Sequence, residues 1–196
     1  MTEVPLFPLR TVLFPGGSLR LRIFEPRYLS LVSRCLREEI GFGVVLIRQG
    51  AEVGPAVTYD VGTLARITDW YTLSDGLLGI TALGEERLRI GSSRREPDGL
   101  VVGDVTMLGP ERAAGLEPRH TAAVAALESL SSLANEPIPE AEWRTDDAGR
   151  VAARLAELLP SSAAEKQAWL ELGDPIARLD AIMPALAALR PKRPPS

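Results

Sequence analysis

The opening stretch, residues 5–28, constrains the fold more than any other part of the chain. Pro5 and Pro8 cannot donate hydrogen bonds to a neighbouring strand, so the segment that contains them is predicted to be an edge strand. The corner Pro15-Gly16-Gly17 then forces the chain to turn. Residues 18–23 alternate leucine or isoleucine with serine or arginine, which predicts a half-buried strand returning from that corner.

The rest of the first half predicts one helix and several paired strands. Apolar residues recur at helical spacing over residues 27–39, which indicates an amphipathic helix. Residues 41–47 form an apolar run of strand length. Residues 61–82 contain two β-rich segments around a Ser-Asp-Gly turn, and residues 87–108 repeat this plan around Pro-Asp-Gly, so two hairpins are expected.

Beyond Gly109-Pro110, alanine, leucine and glutamate replace glycine and β-branched residues. Apolar side chains recur every three or four residues in several segments, so amphipathic helices are predicted. We expect a β-rich domain over residues 1–112, a helical domain over 113–190 and a disordered tail over 191–196.

Three details of the helical half are specific enough to check. Ser162 followed by Glu165 fits a capping box that starts a helix. Pro184 removes a backbone donor and is expected to kink or split the last helix. Residues 135–147, with two prolines and five acids, are predicted to be an exposed loop.

The opening stretch and three later segments together resemble the N-terminal domain of Lon proteases, including its small stand-alone bacterial relatives. The later segments are FGVVL at 42–46, YDVGTLARI at 59–67 and GITALGEERLRI at 79–90. The resemblance implies an α+β fold, in which a PUA-like twisted β pseudo-barrel with one helix precedes a C-terminal α-helical bundle. It also implies a non-catalytic role in binding unfolded or exposed polypeptide segments.

Composition narrows the classes of partner and compartment. A formal net charge of -4 argues against a surface that binds nucleic acid as a whole, so no DNA partner is expected. Cys35 is the only cysteine, which excludes an intramolecular disulfide and a multi-thiolate metal site, and no cofactor is predicted. The acidic start and proline-interrupted apolar runs fit neither a signal peptide nor a membrane span, so a cytoplasmic location is expected.

The sequence gives little support for catalysis. His120 is the only histidine, and its place at a predicted helix start favours a solvated or capping role over that of a general base. Cys35 lies on the apolar face of its helix and is predicted to be a core residue. The adjacent Glu85 and Glu86 point to opposite faces of a strand. The phosphate loop GKT or GKS is absent, which argues against ATP use. No nucleophile and base can be assembled from the motifs, so a hydrolase is the least favoured class.

Two binding surfaces are predicted. In the first, an extended peptide pairs with the proline-bearing edge strand beside the glycine corner. Its candidate residues are Leu6, Phe7, Phe14, Pro15 and Phe24. The alternative is an RNA-binding module of PUA-like type, in which a basic strip contacts phosphates. The candidate residues of this strip are Arg20, Arg22, Arg87 and Arg89.

Overall fold

A computed structural model describes residues 2–52, 54, 56–133 and 147–189. The chain divides into two compact units, Met1–Pro110 and Glu111–Ser196. Within the described residues, the first unit contains the strands and one α-helix, and the second contains a 3-10 turn and α-helices. The division falls two residues before the boundary that composition predicts.

The elements follow the chain in a simple order. Those of the first unit are β1 (Thr2–Leu9), β2 (Ser18–Ile23), α1 (Pro26–Glu38), β3 (Phe42–Gly50), β4 (Ala56–Thr72), β5 (Leu78–Arg95) and β6 (Val101–Met107). In the second unit a 3-10 turn (Pro118–His120) precedes α2 (Thr121–Leu133), α3 (Ala148–Leu158), α4 (Ala163–Glu171) and α5 (Pro175–Leu189). The predicted helix and both predicted hairpins of the first half are confirmed. The return strand of the first hairpin and the outgoing strand of the second are continuous in β5.

The strands of the first unit pair in the order β2-β5-β4-β3-β1-β6, and β5 pairs with β6 as well. The additional pairing closes a ring through β5, β4, β3, β1 and β6. Strand β5 can do this because its 18 residues serve different neighbours along their length. Its first part lies between β2 and β4, residues 88 and 89 lie between β4 and β6, and the residues from 90 onward pair with β6 alone among the described strands. Strand β2 is therefore attached to the ring through β5 alone among the described strands.

Strand β1 is interior to the sheet, so the prediction of an edge strand at Pro5 and Pro8 is wrong. Residues 2–6 pair with β6 in antiparallel fashion, and residues 6–9 pair with β3 in parallel. Pro5 thus lies where only the β6 side is paired, and Pro8 lies where only the β3 side is paired. A strand that changes partner part-way along can hold a proline in each half, because each half needs donors on one edge only.

The main core of the first unit lies between the sheet and α1. Helix α1 buries Leu31, Val32 and Cys35 in this core, beside Phe42. At the start of the helix, the Tyr28 ring stacks on Phe7 with centroids 3.9 Å apart. A smaller cluster of four buried side chains lies in the ring (Val4, Leu6, Leu88 and Val105).

A buried ion pair organises part of the second unit. The fully buried Arg178 of α5 binds both carboxylate oxygens of Glu111. Its Nε also donates to the carbonyl of Trp169 at 2.9 Å. Removing one partner of such a pair leaves a buried charge uncompensated, which costs roughly 3–5 kcal/mol. Glu111 is thereby bound to the helical unit, whereas the sequence analysis placed it in the β-rich domain over residues 1–112.

The details predicted for the helical half have mixed outcomes. The capping box is confirmed, because the Ser162 side chain accepts from the Glu165 backbone and the Glu165 carboxylate accepts from the Ser162 backbone. Helix α5 continues through Pro184, so of the two predicted alternatives a split is excluded and a kink stays a prediction. The acidic segment lies outside the described residues except for Asp147, which caps α3. The predicted tail, residues 191–196, lies outside them as well.

Candidate functional site

Three of the five predicted peptide-contact residues are buried. Leu6 and Phe7 belong to the interior strand β1 and pack in the two clusters of the first unit. Phe14 has no exposed surface, and its carbonyl accepts the backbone N–H of Gly17 at 3.0 Å across the corner. A buried side chain presents no surface to a ligand, so the folded chain does not offer these three for the predicted contact. Pro15 is half-buried.

The fifth residue, Phe24, lies on the surface. It follows the last residue of β2 and is 58% exposed. Its neighbour Ile23 is buried in the main core. The alternation of β2 therefore ends with a large aromatic side chain facing solvent, directly before helix α1.

The basic strip does not form as predicted. Arg87 is buried, whereas Arg20, Arg22 and Arg89 are exposed. Arg20 pairs with Thr81 on β5, six residues before Arg87, which corresponds to about 20 Å along a strand. The arginines of β2 and those of β5 consequently lie at different places along the sheet. The prediction failed because β5 is one long strand. Its first part pairs with β2, and Arg87 and Arg89 lie further along it, whereas the sequence analysis assigned these two parts to separate hairpins.

A further apolar surface lies on the part of the sheet outside the ring. We call this part the extension, and define it as β2, residues 78–84 of β5 and residues 66–72 of β4. Trp70 of the extension is 64% exposed. Its register partner on β5 is Ile80, whose partner on β2 is Leu21. Residues paired across an antiparallel sheet share a face, so Trp70 lies on the core-facing side of the extension.

The exposure of Trp70 shows that the main core does not cover this end of the face. Ile80 is fully buried and Leu21 is half-buried, so exposure increases from the middle of the extension to either side. Tyr71, the next residue of β4, faces the other side of the sheet. Tyr71 is half-buried because its ring covers Gly79, where a Cβ would lie 2.4 Å from the ring.

The outer edge of the extension is strand β2. One edge of β2 pairs with β5 from Ser18 to Ile23, and no strand in the described part of the chain pairs with the other edge. Arg20 and Arg22 are exposed on one face, and Arg22 forms an ion pair with Asp75 of the β4–β5 turn. Leu19 and Leu21 are half-buried against the main core on the opposite face.

The side chains considered for catalysis make structural contacts. His120 is fully buried and caps the 3-10 turn, so of the two predicted roles, solvated or capping, the capping role is confirmed. Its Nδ1 accepts the Glu117 backbone N–H at 3.4 Å, and its Nε2 lies 2.8 Å from Asp180 Oδ1. Hydrogen bonds from Arg119 and His120 lower the pKa of Asp180 below its usual range. With both ring nitrogens engaged, His120 has no free site with which to activate a nucleophile.

Neither Cys35 nor the glutamate pair forms a reactive centre. Burial raises the pKa of the Cys35 thiol to about 11, so the thiol is protonated at neutral pH. Glu85 forms an ion pair with Arg66 at the surface. Among the described residues, no three side chains of His, Cys, Asp or Glu come together as metal ligands. None of the helices in the described ranges combines the length and apolar character needed to cross a bilayer.

Comparison with known proteins assigns this architecture to a family. The model of the ATP-dependent protease La (LON) substrate-binding domain matches residues 3–188. The chain belongs to the Lon substrate-binding domain family. The match includes both the strands of the first unit and nearly all of the described helices of the second.

Curated relatives are full Lon proteases. That of Phenylobacterium zucineum is 31% identical over 193 residues, which cover 94% of this chain and 24% of the relative. That of Anaeromyxobacter dehalogenans is 31% identical over 90 residues, which cover 44% of this chain and 11% of the relative. The chain therefore spans a quarter or less of the length of these relatives.

Solved structures match along nearly the whole chain. A Lon N-terminal domain protein from Xanthomonas campestris is 38% identical, with a TM-score of 0.79, and covers 97% of this chain and 100% of its own. The N-terminal domain of a Mycobacterium avium complex Lon protease is 17% identical, with a TM-score of 0.65, over 96% of this chain. The second likeness concerns the fold alone. Together they show the α+β fold of Lon N-terminal domains.

Proposed function

We propose that this chain is a non-catalytic module that binds unfolded or exposed polypeptide segments. Membership of a family described as substrate-binding supports a binding role. The observation that carries the proposal is the exposure of two large aromatic side chains, Trp70 and Phe24, on or beside the extension. Aromatic side chains supply much of the binding free energy at protein interfaces, and these two are the most exposed large hydrophobic side chains among the described residues.

The proposal retains part of the predicted site and replaces the rest. Phe24 and the half-buried Pro15 remain candidate contact residues, and Trp70 joins them. Leu6, Phe7 and Phe14 are buried, so the proposal no longer includes them as ligand contacts. The runner-up, an RNA-binding module, loses its basic strip because Arg87 is buried, so we do not adopt it.

We also propose a finer description of the fold of each unit. The pairing of β5 with both β4 and β6 supports a PUA-like pseudo-barrel in the first unit. The packing of α3 against α5 supports a helical bundle in the second. Limited proteolysis should release two resistant fragments cut between residues 108 and 118. Early cleavage within β4 or β5 would contradict the division into these two domains.

The binding role can be tested by fluorescence anisotropy with fluorescein-labelled casein, an unfolded polypeptide. We expect the wild-type chain to bind it, and Trp70→Ser or Phe24→Ser to weaken binding at least about fivefold, the size of a 1 kcal/mol interface contact. Val57→Ser is the matched control, because Val57 is 47% exposed but lies in the β3-paired part of β4. Equal loss in all three variants, or no binding by the wild type, would overturn the proposal.

The non-catalytic part of the proposal needs its own assay. We expect the purified chain to leave casein intact and to hydrolyse no ATP, since His120 and Cys35 are committed to structural contacts. The readouts are casein fragments on a gel and released phosphate. Turnover that co-purifies with the chain and persists in His120→Ala would contradict this expectation and point to residues outside those considered above.

A further inference from the structure

We propose that the open edge of β2 binds its polypeptide by strand addition, and that it selects segments in which apolar and acidic residues alternate. This inference rests on the proposed function and specifies its ligand. It moves the peptide-pairing edge from β1, where the sequence placed it, to β2. The edge is chosen because β2 carries no proline and no described strand pairs with its outer side.

The backbone of β2 presents donors and acceptors to its open edge. The Gly84 N–H donates to the Gly17 carbonyl at 2.8 Å, which fixes a hydrogen-bonded position at the start of the ladder. Hydrogen-bonded and open positions alternate along antiparallel strands. The backbone groups of Ser18 and Arg22 therefore face away from β5. The Thr81 carbonyl agrees with this phase, because it accepts the Thr68 hydroxyl of β4 at 3.2 Å on the far side of β5.

One face of the edge selects apolar residues. Leu19 and Leu21 are half-buried and pack against the main core, so part of each side chain remains in contact with water. An added strand would place every second side chain beside them, at the 4.5–5.5 Å Cβ separation of cross-strand neighbours. Apolar side chains at those positions would remove the remaining apolar surface from water.

The other face selects acidic residues. Arg20 and Arg22 are both exposed there, and they belong to the outermost strand. The intervening residues of an added strand would lie directly opposite them, where opposite charges stabilise and like charges destabilise pairing. Arg22 already pairs with Asp75 at the surface, and exposed pairs of this kind are worth about 1 kcal/mol or less. A peptide carboxylate can therefore displace Asp75.

The same arginines exclude a second copy of the chain as the occupant. Pairing β2 with another β2 would bring arginine opposite arginine, a usual means of preventing edge-to-edge association. A strand that carries acidic residues at these positions would instead place opposite charges beside the arginines. The arginines therefore disfavour pairing of β2 with another β2, and they favour pairing with segments in which apolar and acidic residues alternate.

The test uses the wild-type chain and synthetic fluorescein-labelled peptides that alternate valine with glutamate over twelve positions. Anisotropy should show binding that is at least tenfold weaker when lysine replaces glutamate. Two further peptides carry N-methyl groups, one on the glutamate amides and one on the valine amides. Only one set of amides faces β2 in an added strand, so one methylated peptide should lose at least tenfold in affinity while the other binds.

Variants of the chain locate the contact. Arg22→Gln should weaken binding of the valine-glutamate peptide about threefold or more, and Asp75→Asn should strengthen it because Arg22 is released. Arg89→Gln is the matched control, since Arg89 is an exposed arginine on the last part of β5. Hydrogen exchange should show slowed exchange of the Arg22 amide in the presence of the peptide.

The outcomes separate the two proposals. Equal affinity for both methylated peptides, with casein still bound, would overturn strand addition and leave the proposed function standing. Binding of neither casein nor the peptides would overturn both. Preference for the lysine peptide would overturn the assignment of acidic ligands. Loss of one methylated peptide together with protection of Arg22 would establish β2 as the pairing edge.

Discussion

Strands β1 and β2 lie on either side of the same glycine corner, but their surroundings are opposite. Strand β1 carries two prolines, pairs on both sides and is buried along most of its length. Strand β2 has none, pairs with β5 alone among the described strands and alternates exposed with less exposed residues. The comparison teaches that proline restricts which edge is paired at a given residue, and not whether a strand is central.

The largest expected effect tests the buried side of the corner. Phe14→Ala should lower the free energy of unfolding by about 3–5 kcal/mol, because it removes a fully buried aromatic side chain and leaves a cavity. Urea denaturation followed by circular dichroism measures this. Phe24→Ala, beyond the end of β2, is the control and should change stability by about 0.5 kcal/mol or less. Similar losses in the two variants would mean that the corner is not enclosed as described.

A smaller effect is expected from the ionisation of groups packed beneath β1. The Cys35 thiol has a pKa of about 11 in the folded chain because it is buried, against about 8.5 in an unfolded one. The folded state thus keeps a proton that the unfolded state releases. The stabilisation is complete below pH 8.5 and is lost as pH rises to 11, by about 3 kcal/mol.

The check is urea denaturation at several pH values between 8 and 11. Burial also raises the pKa of Tyr28, to about 12, so Tyr28 adds its own loss of stability at the upper end of this range. Cys35→Ala should therefore begin to lose stability roughly one pH unit later than the wild type. Parallel pH profiles for the two proteins would contradict the burial of the thiol.

The smallest expected effect compares two prolines placed in β2. Leu21→Pro should cost about 1–3 kcal/mol more than Arg22→Pro, because the amide of residue 21 faces β5 and that of residue 22 faces the open edge. Thermal unfolding of both variants measures the difference. Equal destabilisation would show that the phase of the β2–β5 ladder is the reverse of that inferred from Gly17 and Gly84.

Local patterns in the sequence were sufficient for most elements of the fold. Helix α1, the hairpins and the Ser162 capping box depend on neighbours within a few residues, so spacing and turn chemistry identify them. The partners of β1 could not be found in this way. Its neighbours β3 and β6 are distant in sequence, and nothing local reveals that one half of the strand pairs with each.

The candidate site was harder to predict than the fold for the same reason. In the sequence, Phe14 and Phe24 each adjoin an apolar strand. In the fold, Phe14 is buried and Phe24 is exposed. Arg87 and Arg89 were expected to share an exposed face, and only Arg89 is exposed. The two arginines pair in unbroken register with residues 63 and 61 of β4, so they do share a face, and alternation along the strand does not reveal that this face is covered at Arg87.

The pairing of β1 with β6 has a consequence for how the first unit is made. Thr2 lies opposite Val105, so β1 leaves the ribosome about a hundred residues before its partner β6, and the ring cannot close until β6 has followed. Until about residue 107 has emerged, the buried side chains of β1 lack one wall of their core, and long-range pairings of this kind form slowly. The nascent chain thus passes through a period in which it resembles the unfolded segments that we propose it binds.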